Sequence, residues 1–372
     1  METIALNTTT QPRRAKRSTV KAKTTRLPSN MKANTRHSTP LVSKAQSTNA
    51  KRLISTKNLS REDWLAVRRQ GIGSSDAAAA CGIHPYLSML ELWMIKTGRM
   101  TSNIDASSNN DIEGYSPLYW GNTLEPMVAK YYQEHTGNKV RRVNAVLQHP
   151  DKHFMLANLD YAITGSDEVQ ILECKTAGEH GAKLWKHGVP LYVTCQVQHQ
   201  LAVTGKQAAH ICVLLCGHEA KIYKVERDER LIESITEHER LFWQYVDTDT
   251  PPTPDHSESA ARALKLLYPT AKPSTKVDLR EDAGANKLFE QLLSYRDCMQ
   301  ELEQRHDQVK HQLQTLIANN EVAVFDKGAI SWKRSKDSIG LDSKAVIKAH
   351  PDLLTQFGKT KQGSRRFVIL DD

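Results

Sequence analysis

The stretch FMLANLDYAITGSDEVQILECKTAG, residues 154–178, reads as two extended runs joined by a polar turn. Ile171, Leu172 and Cys174 suit a buried strand, yet Glu173 and Lys175 interrupt them one residue apart. Side chains alternate along a strand, so Glu173 and Lys175 share one face while Leu172 and Cys174 share the other. The preceding run carries a single acid, Asp160. A hairpin turning on Gly165-Ser166-Asp167-Glu168, centred between 166 and 167, sets Asp160 directly opposite Glu173. Two carboxylates about 5 Å apart across a ladder repel and weaken the sheet. A divalent cation between them reverses that sign, and oxygen ligands at about 2.0–2.1 Å are what Mg²⁺ prefers. The plain alternative is a half-exposed face whose acids and lysine are ordinary solvated charges. The strongly apolar remainder of both runs weighs against it, because a charge between two covered faces requires a partner or a metal.

Working outward, the neighbouring segments alternate helical and extended patterns. LSREDWLAVRRQ predicts a short helix to about Arg69 with Ser60 as N-cap. GIGSSDAAAACG predicts a glycine turn, a cap at Ser74 or Ser75, a small alanine-rich helix and a stop at Gly82. SMLELWMIKTG reads as another helix, and residues 101–117 as a surface loop. GNTLEPMVAKYYQEHTG predicts a helix between Gly121 and Gly137, with Asn122 to Glu125 fitting a capping box and Pro126 its start. Strands are expected at 143–148, 154–164 and 169–176, a helix from about Leu191 to Val203, strands at 208–215 and 220–226, and a helix over 228–246. This order gives a mixed α/β domain.

Composition limits the choices further. The chain has 372 residues, is 39% hydrophobic and 25% charged, and holds no run near the ~18 apolar residues of a membrane span. Six cysteines at irregular spacings, none in a C-x-x-C pair, predict reduced thiols in a cytoplasmic setting. The net charge of +9 is uneven: residues 1–57 hold 13 Lys and Arg against one acid, Glu2, so the remainder is mildly acidic. That segment, rich in Thr, Ser and Asn, reads as a disordered basic arm, either a solvated tail or a nonspecific contact to nucleic-acid phosphates. The divisions expected are therefore the arm at 1–57, the mixed α/β domain at 58–246, a linker at 247–256 and a C-terminal helical region at 257–372. Within the last, Leu288, Leu292, Tyr295, Met299, Leu302, His306, Val309, Leu313 and Leu316 alternate spacings of four and three. That is a coiled-coil-like seam, packed on its own chain or against a partner. AVFDKGAISWKR predicts a hairpin and SRRFVIL a final strand.

Asp160, followed thirteen residues later by Glu173-Cys174-Lys175, resembles the core of the PD-(D/E)xK nuclease superfamily. Five motifs in order resemble the phage lambda exonuclease and YqaJ viral recombinase family within it. They are WLAVRRQGIGSSDAAAACGIHPY (64–86), WGNTLEPMVAKYY (120–132), ANLDYAI (157–163), ILECKTA (171–177) and YVTCQVQHQLAVTG (192–205). One departure is Leu159, which stands where the superfamily's name has proline. The resemblance implies a restriction-endonuclease-like mixed sheet flanked by helices, with the helical seam as an extension. It implies that Glu125, Asp160, Glu173, Lys175 and Gln196 are catalytic, and that Glu125, Asp160, Glu173 and the Cys174 backbone carbonyl hold Mg²⁺, with Mn²⁺ able to substitute. Arg68 and Ser75 match a pocket for the terminal 5′ phosphate, and His199 is read as structural or DNA-contacting. The implied activity is a DNA exonuclease on duplex ends, 5′-to-3′, leaving 3′ overhangs. The implied partners are duplex DNA, a single-strand annealing protein of the RecT/Beta type and further copies of the chain in a trimer. The implied place is the cytoplasm of a bacterium carrying a phage or prophage. A related endonuclease and a non-catalytic DNA-binding scaffold are the rival readings.

Overall fold

The structure, a computed structural model, describes residues 50–100, 117–360 and 363–370. Most of the expected basic arm and the loop at 101–116 lie outside the described residues. Ten strands are found among the described residues. They are β1 (Lys51–Ser55), β2 (Lys139–Arg142), β3 (Ala145–Gln148), β4 (Leu156–Ala157), β5 (Tyr161–Thr164), β6 (Ile171–Ala177), β7 (Ala208–Leu215), β8 (Glu219–Glu226), β9 (Val322–Phe325) and β10 (Gly328–Ser331). The main sheet has the order β2-β5-β6-β7-β8. Its β6–β7 pairing is parallel and the others are antiparallel, so the sheet is mixed as expected. A parallel neighbour requires a crossover. The Leu191–Thr204 helix supplies it, ending on Gly205 in the left-handed conformation at φ +68°.

Both faces of β6 are covered. Ile171 packs with Val193, Val197 and Leu201 of the crossover helix. Leu172 and Cys174 pack against Val128, Ala129 and Tyr132 of the Pro117–Thr136 helix on the other side. Tyr161 pairs with Leu172 and Ala162 with Ile171, so one step further along the ladder Asp160 comes opposite Glu173. The register expected from the turn therefore stands.

Several expectations are corrected. The run 154–164 is not one strand: β4 belongs to a three-stranded sheet β1-β3-β4, and the chain bends through Asn158-Leu159-Asp160 before joining the main sheet as β5. The bend follows from Ile72, which bridges to Met155 and accepts from the Leu156 N–H at 2.9 Å. Gly71 permits that approach, because a Cβ there would lie 2.7 Å from the Phe154 carbonyl oxygen. β1 falls within the expected disordered arm, yet it pairs antiparallel with β3. The basic, polar average of residues 1–57 concealed the local Leu53-Ile54 pair, of which Ile54 is half-buried. The Pro117–Thr136 helix begins upstream of Asn122 and contains Pro126, so no capping box operates there. SRRFVIL forms no strand across its described residues.

The expected boundary at 246 is not a packing boundary. The Glu258–Leu267 helix buries Ala263 in one cluster with Leu90, Trp93 and Phe242. Ser259 donates to Ser88 Oγ at 3.1 Å, and Arg262 reaches the buried Glu91 at 3.0 Å. Further on, the Ala283–Ile317 helix runs 35 residues from an Asp282 N-cap, and the expected hairpin forms as β9 and β10. No helix among the described residues is long and apolar enough to cross a membrane.

Candidate active site

The two opposed acids sit where the bend before β5 meets β6. Glu173 is 3% exposed, and every acceptor oxygen is engaged. Lys175 Nζ lies 2.7 Å from its Oε1, Gln196 Nε2 donates to the same oxygen at 2.6 Å, and Gln200 Nε2 donates to Oε2 at 2.7 Å. Lys175 also donates to Gln196 Oε1 at 2.8 Å, closing a triangle of acid, amide and ammonium. Helical periodicity explains the two glutamines: positions 196 and 200 lie one turn apart on the crossover helix and so face β6 together.

Asp160 accepts the Cys174 backbone N–H at 2.9 Å. Burial and then the neighbouring Glu173 charge push its carboxyl well above the ordinary range, against the opposing pull of Lys175. Burial lowers Lys175, but Glu173 and Asp160 outweigh it and hold the amine above its usual value. Lys175 is therefore an ammonium that donates and cannot accept a proton in this arrangement.

Both acids and Gln196 line a cavity of about 740 Å³, whose walls also include Arg68, Ser75 and Arg142. Arg68 lies over the Trp64 ring at 4.8 Å and donates to Ser75 Oγ at 2.9 Å and to Asp76 Oδ1 at 2.7 Å. Asp76 additionally takes Lys96 Nζ at 2.7 Å and the Gly73 N–H at 3.1 Å. Burial favours a neutral Asp76, but Arg68 and Lys96 override it and hold the carboxylate well below its usual range. Ser75 is thus not a helix cap; it is held by the guanidinium at the cavity wall.

Glu125 lies outside this hydrogen-bonded group, although its charge bears on Asp160. Its carboxylate is bound by Arg142 at 2.6 Å, and it lines an adjoining cavity of about 240 Å³ that shares Asn122, Arg142 and Asp160 with the larger one. Among the described residues no three His, Cys, Asp or Glu side chains cluster closely enough to hold a metal ion. Asp160 and Glu173 nevertheless fit a hard divalent cation in kind. They are two opposed, largely buried carboxylates whose mutual repulsion is relieved by positive charge.

Sequence reasoning missed four contributors. Gln200 shows only as one more polar residue on an apolar helix, Asp76 and Lys96 are twenty positions apart, and Arg142 precedes the first expected strand. His199, read as structural or DNA-contacting, is wholly buried: Nδ1 meets Glu239 Oε1 at 2.6 Å and Nε2 meets the Leu156 carbonyl at 2.8 Å. It is structural, and it ties β4 to the helix bearing both glutamines. Replacing Gln200 by leucine keeps the volume but leaves Glu173 Oε2 without its donor, a loss of about 1–3 kcal/mol for a buried acceptor. Gln200→Leu is therefore expected to lose about 1–3 kcal/mol of stability in urea unfolding with an unchanged native circular-dichroism spectrum, and a loss below about 0.5 kcal/mol would contradict this placement.

Residues 63–207 match the model of the YqaJ-like viral recombinase domain. The uncharacterized protein YqaJ of Bacillus subtilis (strain 168) is 32% identical over 321 residues, covering 85% of this chain and 96% of that protein. An alkaline exonuclease from Laribacter hongkongensis is 22% identical with a TM-score of 0.41, over 51% of this chain and 94% of that one. A phage related exonuclease from Haemophilus somnus 129PT is 14% identical with a TM-score of 0.31, over 50% and 97% respectively. Those two likenesses add nothing to the sheet order and register.

Proposed function

Because the chain belongs to the YqaJ family, we propose that it is a divalent-metal-dependent deoxyribonuclease that removes nucleotides from duplex DNA ends in the 5′-to-3′ direction. The observation that carries this reading is the register placing Asp160 opposite Glu173, beside an ammonium and inside one cavity with an arginine–serine pair. Asp160, Glu173 and the Cys174 backbone carbonyl are the groups that would hold Mg²⁺ or Mn²⁺. Such a cation would lower the pKa of an attacking water and offset charge on the leaving oxygen.

The remaining work falls to the chain. Lys175, as an ammonium, stabilises negative charge accumulating on the scissile phosphate. Gln196 fixes both Lys175 and Glu173, so the amine and the acid keep one geometry through the reaction. Arg68 and Ser75 receive the terminal 5′ phosphate, with Asp76 and Lys96 holding Arg68 in place behind them. Glu125 acts through Arg142, which it aims across the Tyr161 ring at 5.6 Å. The product left behind is a 3′ overhang, a substrate for a RecT/Beta-type annealing protein. A phage or prophage origin and a bacterial cytoplasmic setting accord with this role.

Digestion of end-labelled linear duplex, with and without a 5′ phosphate, tests the reading. EDTA should abolish digestion, and covalently closed circular DNA should survive. Cutting of the closed circle would make the protein an endonuclease, and no digestion with either Mg²⁺ or Mn²⁺ would leave the non-catalytic scaffold. Arg68→Ala should lose at least tenfold of the preference for 5′-phosphorylated ends, the scale of one charge-assisted hydrogen bond of about 1.5–3 kcal/mol. An unaltered preference, measured as the ratio of initial rates on the two ends, would remove Arg68 from the pocket.

A further inference from the structure

Charge is divided sharply along the chain. Residues 58–326, the body of the protein and the long helix, hold 28 Lys and Arg against 36 acids, whereas residues 327–370 hold ten against three. Every described one of those ten is exposed. Four of them, Lys327, Lys333, Arg334 and Lys336, fall within ten residues that contain no acid. Aromatic side chains are interleaved with the cations: Trp332 is 47% exposed, Phe357 74% and Phe367 87%.

The two features meet at Trp332. Between the Ala283–Ile317 helix and the β9–β10 hairpin runs a groove of about 460 Å³, within the ~300–1,000 Å³ of ordinary ligand clefts. Ile330 and Trp332 line it from the hairpin side, Lys310 and Leu313 from the helix. The Trp332 backbone N–H donates to the Glu321 carbonyl at 2.8 Å, which anchors this position at the foot of the hairpin. Lys333 and Arg334 follow directly. They pair with Glu321 at 3.4 Å and Asp337 at 2.9 Å, exposed contacts that a phosphate displaces at little cost.

We propose that residues 327–370, with the Trp332 groove at their root, bind single-stranded DNA. Its source, the 3′ overhang left by digestion, rests on the exonuclease reading above. Spaced cations track a phosphate backbone, and aromatic faces stack on bases whatever the sequence. Along a duplex those base faces are already stacked on one another, so exposed Trp and Phe among the cations select an unpaired strand. The basic arm has no means of making that choice: residues 1–57 hold 13 Lys and Arg but no Phe, Trp or Tyr.

Fluorescence anisotropy of the full chain tests the proposal, with a labelled oligothymidylate of about 20 nucleotides, longer than the ~4–16 that a single-strand site occupies. EDTA is present throughout, so binding is read apart from digestion: a protein that cuts nothing can still bind, and one that cuts can fail to. Trp332→Ala should weaken oligothymidylate binding about fivefold or more, the scale of one stacked base, and leave binding to a blunt duplex within about twofold. Trp332→Phe should retain the affinity. Trp332→Leu, which keeps an apolar contact in the groove but has no ring, should lose it as the alanine variant does. Lys333→Gln/Arg334→Gln/Lys336→Gln should reduce the slope of log Kd against log salt by about 2, since each phosphate contact on a single strand contributes ~0.7. An unchanged affinity in Trp332→Ala or Trp332→Leu, an unchanged salt slope, or an equal loss on the duplex would overturn the proposal.

Discussion

Glu173→Ala should lower Mg²⁺-dependent digestion of linear duplex by about a thousandfold or more while leaving DNA binding within about threefold of wild type. A bound cation supplies several kcal/mol of transition-state charge stabilisation, and each 1.36 kcal/mol is tenfold in rate. Glu173 also accepts from Lys175, Gln196 and Gln200, so its removal releases the amine and both amides together. The arginines that would grip DNA, Arg68 and Arg142, line the same cavity without touching Glu173, so binding does not depend on it. Single-turnover digestion and fluorescence anisotropy on one 5′-phosphorylated duplex separate the two effects. Retention of more than a tenth of wild-type rate would contradict the assignment. Glu173→Gln checks that the loss is chemical, since it preserves volume and most hydrogen bonds while removing the charge.

Glu239→Ala is expected to destabilise the fold by about 3–5 kcal/mol, the cost of stripping one partner from a buried ion pair. Both nitrogens of His199 face oxygens, Glu239 Oε1 and the Leu156 carbonyl, and an imidazolium donates to both. Burial alone would lower the His199 pKa, but the Glu239 carboxylate outweighs it and the group titrates above its ordinary value of 6.5. A folded-state pKa raised in this way gives stability that is complete below the ordinary imidazole value. That stability is lost as pH rises through the higher folded value. Urea unfolding of wild type and Glu239→Ala should therefore differ most at acidic pH and converge as pH rises above 6.5. A gap below 1 kcal/mol at pH 6, or one that widens towards pH 9, would show that His199 is neutral in the fold.

The catalytic half of the chain was legible because its strands are short, apolar and bounded by glycine turns. The turn at Gly165-Ser166 fixed the register, and the register alone set Asp160 against Glu173. The alternation of Ile171, Glu173 and Lys175 against Leu172 and Cys174 likewise gave the faces correctly, since both are covered. What escaped was long-range. The break between β4 and β5 depends on Ile72 bridging to Met155, eighty-three residues on, which no local pattern records. Arg142 binding Glu125 depends on β2, a run of Lys139-Val140-Arg141-Arg142 too charged to read as a strand. The Glu258–Leu267 helix was assigned to the C-terminal region because a proline-rich segment precedes it. Its buried Ser259 and Ala263 instead dock it on the helix Met89–Lys96. Asp76 and Gln200 matter through what they hold in place, and a single sequence carries no mark of that.

An anomalous difference map from crystals soaked in Mn²⁺ tests the pairing of the two acids most directly. The account predicts one strong peak between the Asp160 and Glu173 carboxylates, lost in Asp160→Asn. Density for the ion elsewhere, or none while both carboxylates are ordered, would contradict it.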